Sequence, residues 1–206
     1  MDDRLAEGVE RFARKHIHAD AELDVLFAKR IAYQAAHAET NHRELVQLTR
    51  ARNLPLASHD DTTADHVAEA IRDGVALAEF PTTVEAAQAL HAAGIRVLMG
   101  APNLVRGGSH AGNIATQELA CAGALDVLSS DYVPASLLHS AFLLREGFSL
   151  SMPEAIAPIT SNPAALLGLA DRGRIAVGLR ADLVQVREIG ATPTVVAVWR
   201  QGRRIA

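Results

Sequence analysis

Short apolar runs alternate with amphipathic segments from residue 54 onward. Each run predicts a buried strand, and each is followed by a loop and then by a segment with the apolar spacing of a helix. The predicted strands cover residues 54–57, 75–80, 95–99 and 125–128. Strand–helix units that repeat in this way are typical of a parallel α/β sheet, whose strands are apolar because both faces are buried.

The two ends of the chain differ from this repeat. Residues 1–52 predict helices only, with Asp20 and Asn41 as N-caps that separate them. Residues 171–206 are rich in β-branched residues, and Gln201-Gly202 predicts a tight turn. The predicted helices cover 64–72, 83–92, 113–122, 135–145, 152–159 and 162–167, and the predicted C-terminal strands cover 174–178, 181–186 and 195–199. We therefore expect two regions, residues 1–170 and residues 171–206.

The composition excludes several classes of protein. A net charge of −4 offers no basic face for nucleic acid. No apolar run reaches the length of a membrane span, and the polar start at Met1 does not predict a signal peptide. The single cysteine, Cys121, excludes an internal disulfide framework and fits a reducing compartment. We expect a cytoplasmic protein without nucleic-acid or membrane partners.

Polar residues follow all four predicted strands. Reactive groups of parallel α/β folds lie at the carboxyl edge of the sheet, because the loops there converge. This rule selects His59, Glu79, Asn103 and Asp131. Imidazole and carboxylate groups together predict a site for a divalent metal such as zinc, manganese or iron.

Each of these residues also has a purely structural interpretation. His59 alone could contact a backbone carbonyl, and Asp60 or Asp61 could cap the helix that follows. Glu79 could be a buried, hydrogen-bonded carboxylate, and Asp131 could cap a later helix. The combination at one sheet edge favours the metal site over the four separate interpretations.

A glycine-rich segment follows the third strand and predicts a long loop with a phosphate site. Its residues are Arg106, Gly107, Gly108, Ser109 and His110. Glycines let backbone N–H groups approach an anion, while Arg and His add charge and donors. The structural alternative is a loop whose glycines only relieve strain.

Another candidate, His16-Ile17-His18, lies at the end of a predicted helix. Residues two apart on a helix point in different directions, so we interpret it as a solvated helix terminus.

Four long motifs resemble the triphosphate diphosphatases of the carbon–phosphorus lyase pathway, a family of the amidohydrolase superfamily. The segment from Asp171 to Val184 is similar to the closing segment of amidohydrolases in general. The motifs are SHDDTT (58–63), AEFPTT (78–83), MGAPNLVRGGSH (99–110) and LSSDYVPA (128–135). The resemblance covers nearly the whole chain.

The resemblance implies a (β/α)8 barrel with a β-sandwich built from both chain ends, of which this chain holds the C-terminal half. It implies that His59 is the metal ligand of the fifth barrel strand and that Asp131 is that of the eighth. Glu79 stands where the sixth strand normally carries a histidine. Nothing in the sequence supplies the first-strand H-x-H pair or the bridging group, and His16-Ile17-His18 stands in the wrong context. We expect a fragment, a homo-oligomer, or a chain that pairs with a separate N-terminal half.

The implied reaction is hydrolysis of α-D-ribose 1-methylphosphonate 5-triphosphate to the 5-phosphate and pyrophosphate. In it, Asp131 would bind metal and accept a proton from water, and the 106–110 segment with Asn103 would hold the phosphorylated ribose substrate. Two alternatives stay open. One is a related amidohydrolase that acts on C–N bonds, and the other is a non-catalytic half barrel that serves as a binding or assembly subunit.

Overall fold

A computed structural model of the chain describes residues 20–109 and 112–206. The chain divides into two compact units, residues 1–54 and residues 55–206. Among the described residues, no helix is both long enough and apolar enough to cross a membrane.

In the described part of the first unit, residues 20–54, one long helix is present, α1, Asp20–Ala51. The prediction of a helix boundary at Asn41 is wrong, because the helix runs through this position without a break. A single Asn inside a helix costs only a few tenths of a kcal/mol relative to a good helix former. The neighbouring Ala, Glu and Arg residues favour helix formation and offset about this amount. The predicted helix before residue 20, including His16-Ile17-His18, lies outside the described residues.

The second unit contains all of the strands among the described residues. A four-stranded sheet alternates with helices, and a three-stranded sheet ends the chain. Its elements in order are β1 Ala57–His59, α2 Ala64–Asp73, β2 Leu77–Glu79, α3 Val84–Ala92, β3 Arg96–Gly100, α4 Ala101–Arg106, α5 Thr116–Cys121, β4 Val127–Ser129, α6 Ser136–Phe148, α7 Met152–Ile156, a 3₁₀ turn Ala157–Ile159, α8 Ser161–Leu166, β5 Leu183–Ile189, β6 Thr192–Arg200 and β7 Arg203–Arg204.

The first sheet is parallel throughout, with strand order β1-β2-β3-β4. This confirms the predicted α/β class. One face of the sheet carries Ala78, Val97 and Leu128, which belong to the buried core formed with the helices. The other face carries His59 and Glu79 in register with each other. All four strands end at the same edge, as the functional-site argument requires.

Threonines cap the first two helices of the sheet region. The Thr63 side chain accepts a hydrogen bond from the His66 N–H, and the Thr83 side chain accepts one from the Ala86 N–H. The expectation that Asp60 or Asp61 caps α2 is therefore wrong. Asp61 is instead buried and accepts a short hydrogen bond from the Ser58 hydroxyl, which fixes the turn after β1.

The loop predicted after β3 is wrong in its first part, because Ala101–Arg106 forms the short helix α4. Proline is favoured in the first turn of a helix, where its missing N–H is not needed, and Pro102 stands there. Gly107 ends the helix in the left-handed conformation with φ 85°.

The C-terminal sheet is antiparallel, with order β5-β6-β7. The predicted turn at Gln201-Gly202 is confirmed, with φ values of 53° and 77°. The Asp182 carboxylate accepts a hydrogen bond from the Gln201 N–H at 2.8 Å and so holds this turn. The predicted strand at 174–178 is wrong, because this segment forms bends and a turn. Ile175 is 89% exposed. The alternating apolar residues therefore do not pair with another strand.

A buried carboxylate organises the opposite, amino-terminal edge of the parallel sheet. Asp126 contacts Arg96 at 2.7 Å and His91 at 2.9 Å, and it accepts the Val97 N–H at 2.9 Å. Burial acts to raise the pKa of Asp126, but these hydrogen bonds outweigh burial and hold its pKa below the ordinary value. These contacts of Asp126 hold the start of β3 against the start of β4, at the edge of the sheet opposite the candidate site.

Candidate functional site

Three residues that follow strands of the parallel sheet adopt the left-handed backbone conformation. Asp60, Phe80 and Asp131 have φ values of 60°, 53° and 47°. This conformation is uncommon outside glycine and is concentrated at functional sites, where the surrounding structure holds it. Here the Asp60 N–H donates to the Glu79 carbonyl and the Phe80 N–H donates to the Leu98 carbonyl, both at 3.0 Å. The ladder therefore continues one residue past β1 and β2, and the chain then turns sharply.

A cavity of about 340 Å³ opens at this edge of the sheet. Its wall is built by the loops after β1, β2 and β4 together with α4 and the segment after it. The charged and polar side chains of the wall are His59, Asp60, Asn103, Arg106, Ser109, Asn113, Asp131 and Tyr132. The cavity thus holds both residues that the sequence selected as principal metal ligands.

The His59 ring is positioned by its two neighbours in the cavity. It meets the Phe80 ring edge-on, with centroids 5.5 Å apart and an interplanar angle of 86°. Its Nδ1 atom lies 3.3 Å from Asp60 Oδ2. A carboxylate at Nδ1 favours the tautomer that leaves the Nε2 lone pair for a ligand, as is usual for histidines that bind metals.

Asp131 lies beside a glycine at the end of β3. A Cβ atom on Gly100 would lie 3.7 Å from Asp131 Oδ2 and 3.4 Å from Phe80 Cε1. Gly100 therefore lies next to both the aromatic ring that contacts His59 and the Asp131 carboxylate. The helix after this loop begins at Ser136 and has no side-chain cap, so the alternative role of Asp131 as a helix cap does not hold.

Arg106 reaches from the last turn of α4 to the loop after β4. Its Nη2 atom donates a hydrogen bond of 2.7 Å to the Tyr132 hydroxyl. Tyr132 directly follows Asp131, so the guanidinium is tied to the loop that carries the carboxylate. This brings one permanent positive charge to the wall that also contains His59 and Asp131.

Asn103 organises the segment between α4 and α5. Its Oδ1 accepts the Thr116 N–H at 3.0 Å, and its Nδ2 donates to the Ile114 carbonyl at 3.4 Å. The Asn103 side chain thus fixes the position of Ile114, which lines the cavity. Its predicted role in holding substrate stays a prediction.

The predicted phosphate segment is only partly assembled around the cavity. Ser109 and Gly108 line it, whereas Gly107 does not. The N–H groups of Gly107 and Gly108 donate to the Asn103 carbonyl at 3.1 and 3.0 Å, so they end α4 and are already engaged within the chain. His110 lies outside the described residues.

Glu79 is half-buried and does not line the cavity, although it is in register with His59. Its predicted role as a third metal ligand stays a prediction. Within the described cavity, His59 and Asp131 provide one nitrogen and one oxygen donor, a set that suits a borderline divalent ion. Catalytic zinc sites normally use three protein ligands, so these two make only part of such a site.

Threonines join the loops after β1 and β2. The Thr62 and Thr82 hydroxyls are 2.8 Å apart, and the Thr83 hydroxyl donates to the Thr62 carbonyl at 3.1 Å. The Thr82 N–H donates to the Asp61 carbonyl at 2.9 Å. These hydrogen bonds therefore hold the two loops together.

Asp60, Phe80 and Tyr132 are among the cavity residues that were not selected from the sequence. Asp60 and Tyr132 flank His59 and Asp131 in the chain, and the strand-end rule that selected the two ligands applied equally to them. The sequence pattern did not identify Phe80 as a site residue, because an aromatic residue after a strand is usually part of the hydrophobic core. Its role depends on its left-handed backbone, which the sequence pattern does not reveal.

The sequence matches the amidohydrolase family over residues 6–206. The chain belongs to the amidohydrolase family. It is 47% identical to the alpha-D-ribose 1-methylphosphonate 5-triphosphate diphosphatase of Escherichia coli (strain K12) over 198 residues, which is 95% of this chain and 52% of the relative. It is 31% identical to the imidazolonepropionase of Cereibacter sphaeroides (strain ATCC 17029) over 89% of this chain and 44% of that protein. The chain thus spans about half the length of these relatives.

Solved structures agree with this family at the level of the fold. An enamidase of the amidohydrolase superfamily matches with a TM-score of 0.60 and 14% identity, over 78% of this chain and 50% of the enamidase. A prolidase matches with a TM-score of 0.57 and 24% identity, over 79% of this chain and 48% of the prolidase. Together with the observed sheets, these matches confirm the predicted partial barrel with a separate antiparallel sheet.

Proposed function

We propose that this chain supplies the carboxyl-terminal half of the active site of a metal-dependent hydrolase that cleaves a 5-triphosphate ester of ribose 1-methylphosphonate, with release of pyrophosphate. One observation carries the proposal: a single cavity contains the metal-type donors His59 and Asp131 together with the cation Arg106. The substrate is taken from the printed name of the Escherichia coli relative, which is 47% identical over nearly all of this chain.

The proposed roles of the residues follow from their chemistry. His59 would hold a divalent ion through Nε2, with Asp60 at its Nδ1 atom to orient the ring. Asp131 would share that ion and accept the proton of the attacking water. When bound, the ion supplies Lewis acidity toward water and phosphoryl oxygens. Zinc, manganese and iron all suit this pair of donors.

The phosphate groups need positive charge and hydrogen-bond donors. Arg106 provides a planar guanidinium that can bind two phosphoryl oxygens at once. Ser109 also lines the cavity and would add a hydroxyl donor. Because the Gly107 and Gly108 N–H groups are engaged in ending α4, we assign phosphate binding to these side chains rather than to a glycine cradle.

The other ligands of a complete site would come from sequence that pairs with this chain, either as the amino-terminal part of a longer protein or as another chain. A homo-oligomer is a further arrangement that the sequence predicts, and cytoplasmic location likewise stays a prediction from the sequence. Neither is needed for the roles given to His59, Asp131 and Arg106.

The test is an assay of the triphosphate ester by ³¹P NMR on the intact enzyme, in which this chain is joined to or paired with the sequence that supplies the other ligands, with manganese or zinc present. We expect pyrophosphate and the 5-phosphate as products, and we expect Asp131→Asn to abolish their formation. Turnover that survives in Asp131→Asn would refute the role of Asp131. Release of inorganic phosphate in place of pyrophosphate would refute the proposed reaction.

A second candidate is a hydrolase acting on a C–N bond, which is favoured by the 31% identity to an imidazolonepropionase. The same metal donors can serve this chemistry. The presence of Arg106 in the cavity favours the phosphate substrate. A parallel assay with imidazolonepropionate and dihydroorotate separates the two, since turnover of either compound with none of the triphosphate ester would establish the C–N hydrolase. Absence of both turnover and stoichiometric metal binding would favour a non-catalytic binding or assembly subunit.

A further inference from the structure

The Arg106–Tyr132 pair joins two elements that are far apart in sequence. Arg106 ends α4, and Tyr132 stands in the turn after β4, where the Val133 N–H donates to the Ser130 carbonyl at 2.9 Å. Both side chains line the cavity, and Tyr132 is 58% exposed. The ring therefore contributes little to the core, and its defined contact is the 2.7 Å hydrogen bond from Arg106.

The direction of this hydrogen bond decides what the hydroxyl can do. A guanidinium only donates, so the Tyr132 oxygen is the acceptor. The hydroxyl keeps its own proton, which must point away from the guanidinium. Tyr132 is consequently a donor toward any acceptor that enters the cavity beside Arg106.

We propose that Tyr132 is a second phosphate-binding residue, which donates its O–H to a phosphoryl oxygen while its own oxygen keeps Arg106 in place. The inference rests on the proposed function and extends it. A polyphosphate ester suits the pair, because it offers several negatively charged oxygens to a fixed guanidinium and an adjacent hydroxyl. Tyr132 directly follows Asp131, whose backbone is left-handed, so this pair lies next in the chain to the carboxylate that would accept the proton of the attacking water.

The test measures binding of inorganic tripolyphosphate to the whole chain by isothermal titration calorimetry. The variants are Tyr132→Phe, Arg106→Gln and the double variant, each checked by thermal unfolding. Tyr33→Phe is the matched control, because Tyr33 lies on α1 and is 62% exposed, similar to Tyr132. Tyr132→Phe removes one oxygen and retains the ring, so any loss reports on the hydroxyl.

We expect Tyr132→Phe to weaken binding about tenfold, the usual effect of removing one hydrogen bond to a charged group. Arg106→Gln should weaken binding at least as much. The affinity of the double variant for tripolyphosphate should fall by less than the product of the two single-variant factors, because the residues act on the same anion. Tyr33→Phe should bind like the unaltered chain.

The outcomes separate this inference from the proposed function. Normal binding by Tyr132→Phe together with impaired binding by Arg106→Gln would overturn the role of Tyr132 and leave the proposed function intact. Equal losses in Tyr33→Phe and Tyr132→Phe would also overturn it. If the unaltered chain did not bind tripolyphosphate, the proposed function would be overturned together with this inference.

Discussion

The imidazole of His59 stands edge-on to the ring of Phe80, with the centroids 5.5 Å apart. His59 ends β1 and Phe80 follows β2, so this contact joins two neighbouring strand ends. Phe80 also lies next to Gly100, beside the Asp131 carboxylate. Phe80 thus contacts His59 and lies next to the same glycine as the Asp131 carboxylate.

Replacing Phe80 should loosen His59 without removing any metal donor. Edge-to-face pairs contribute about 0.5–1.5 kcal/mol beyond their buried area. We therefore expect Phe80→Leu to weaken Mn²⁺ binding by a few-fold to about tenfold, measured by calorimetry. Phe148→Leu is the control, since Phe148 packs against the core and does not line the cavity. Equal Mn²⁺ affinity in the two variants would show that Phe80 does not position His59.

Gly100 sets the space available to Asp131. An added Cβ would make ordinary contacts of 3.4 Å to Phe80 and 3.7 Å to Asp131 Oδ2, so Gly100→Ala should retain Mn²⁺ binding within a few-fold. The two further methyl groups of Gly100→Val have no such space, and they should displace the carboxylate or the ring. We expect at least a tenfold loss of Mn²⁺ affinity in Gly100→Val alone. Similar affinity in both variants would contradict this account of Gly100.

The capping role of Thr63 can be tested through stability. Thr63→Ala should lower the free energy of unfolding by about 1 kcal/mol, because the His66 N–H loses its acceptor. Thr63→Ser retains the hydroxyl acceptor, so it should leave this helix end largely intact. Urea denaturation of the two variants provides the comparison. Equal losses in Thr63→Ser and Thr63→Ala would contradict the capping role of the hydroxyl.

Asp126 makes stability depend on pH. Its pKa in the folded state lies below the ordinary value for an aspartate, so the stabilisation is present above that ordinary value and is lost as the pH falls through the folded pKa. Asp126→Ala leaves the buried Val97 N–H without its acceptor and should cost about 1–3 kcal/mol at pH 7. Urea denaturation should show a smaller difference between the variant and the unaltered chain at pH 3. A difference that is the same at both pH values would contradict the proposed ionisation.

The parallel sheet could be predicted because buried strands and amphipathic helices leave regular apolar patterns, as in 95–99 and 83–92. Strand boundaries shifted by a few residues, since the pattern marks burial rather than hydrogen bonding. The short helix Ala101–Arg106 was missed because its sequence begins after a glycine and contains a proline, both of which also occur in loops. Residues 174–178 show the reverse error, because apolar alternation cannot form a strand without pairing.

The candidate site was predictable where side-chain type alone identifies a function. His59, Asp131 and Arg106 were selected from strand ends and charge, and the structure brings them to one cavity. Glu79 was selected by the same rule, yet it is not part of the cavity wall. The rule gives the edge of the sheet but does not determine which side chains line a cavity at that edge. The left-handed conformations at Asp60 and Phe80 and the hydrogen bond from Arg106 to Tyr132 depend on backbone geometry and long-range contacts, which a sequence pattern does not contain.

The central claim, that His59 and Asp131 hold one divalent ion, is tested most directly by Mn²⁺ titration of the whole chain with electron paramagnetic resonance detection. We expect the unaltered chain to bind one equivalent, and we expect His59→Gln and Asp131→Asn each to weaken that binding at least tenfold. His37→Gln, which changes an exposed histidine of α1, should bind like the unaltered chain. Undiminished binding in either His59→Gln or Asp131→Asn would contradict the claim.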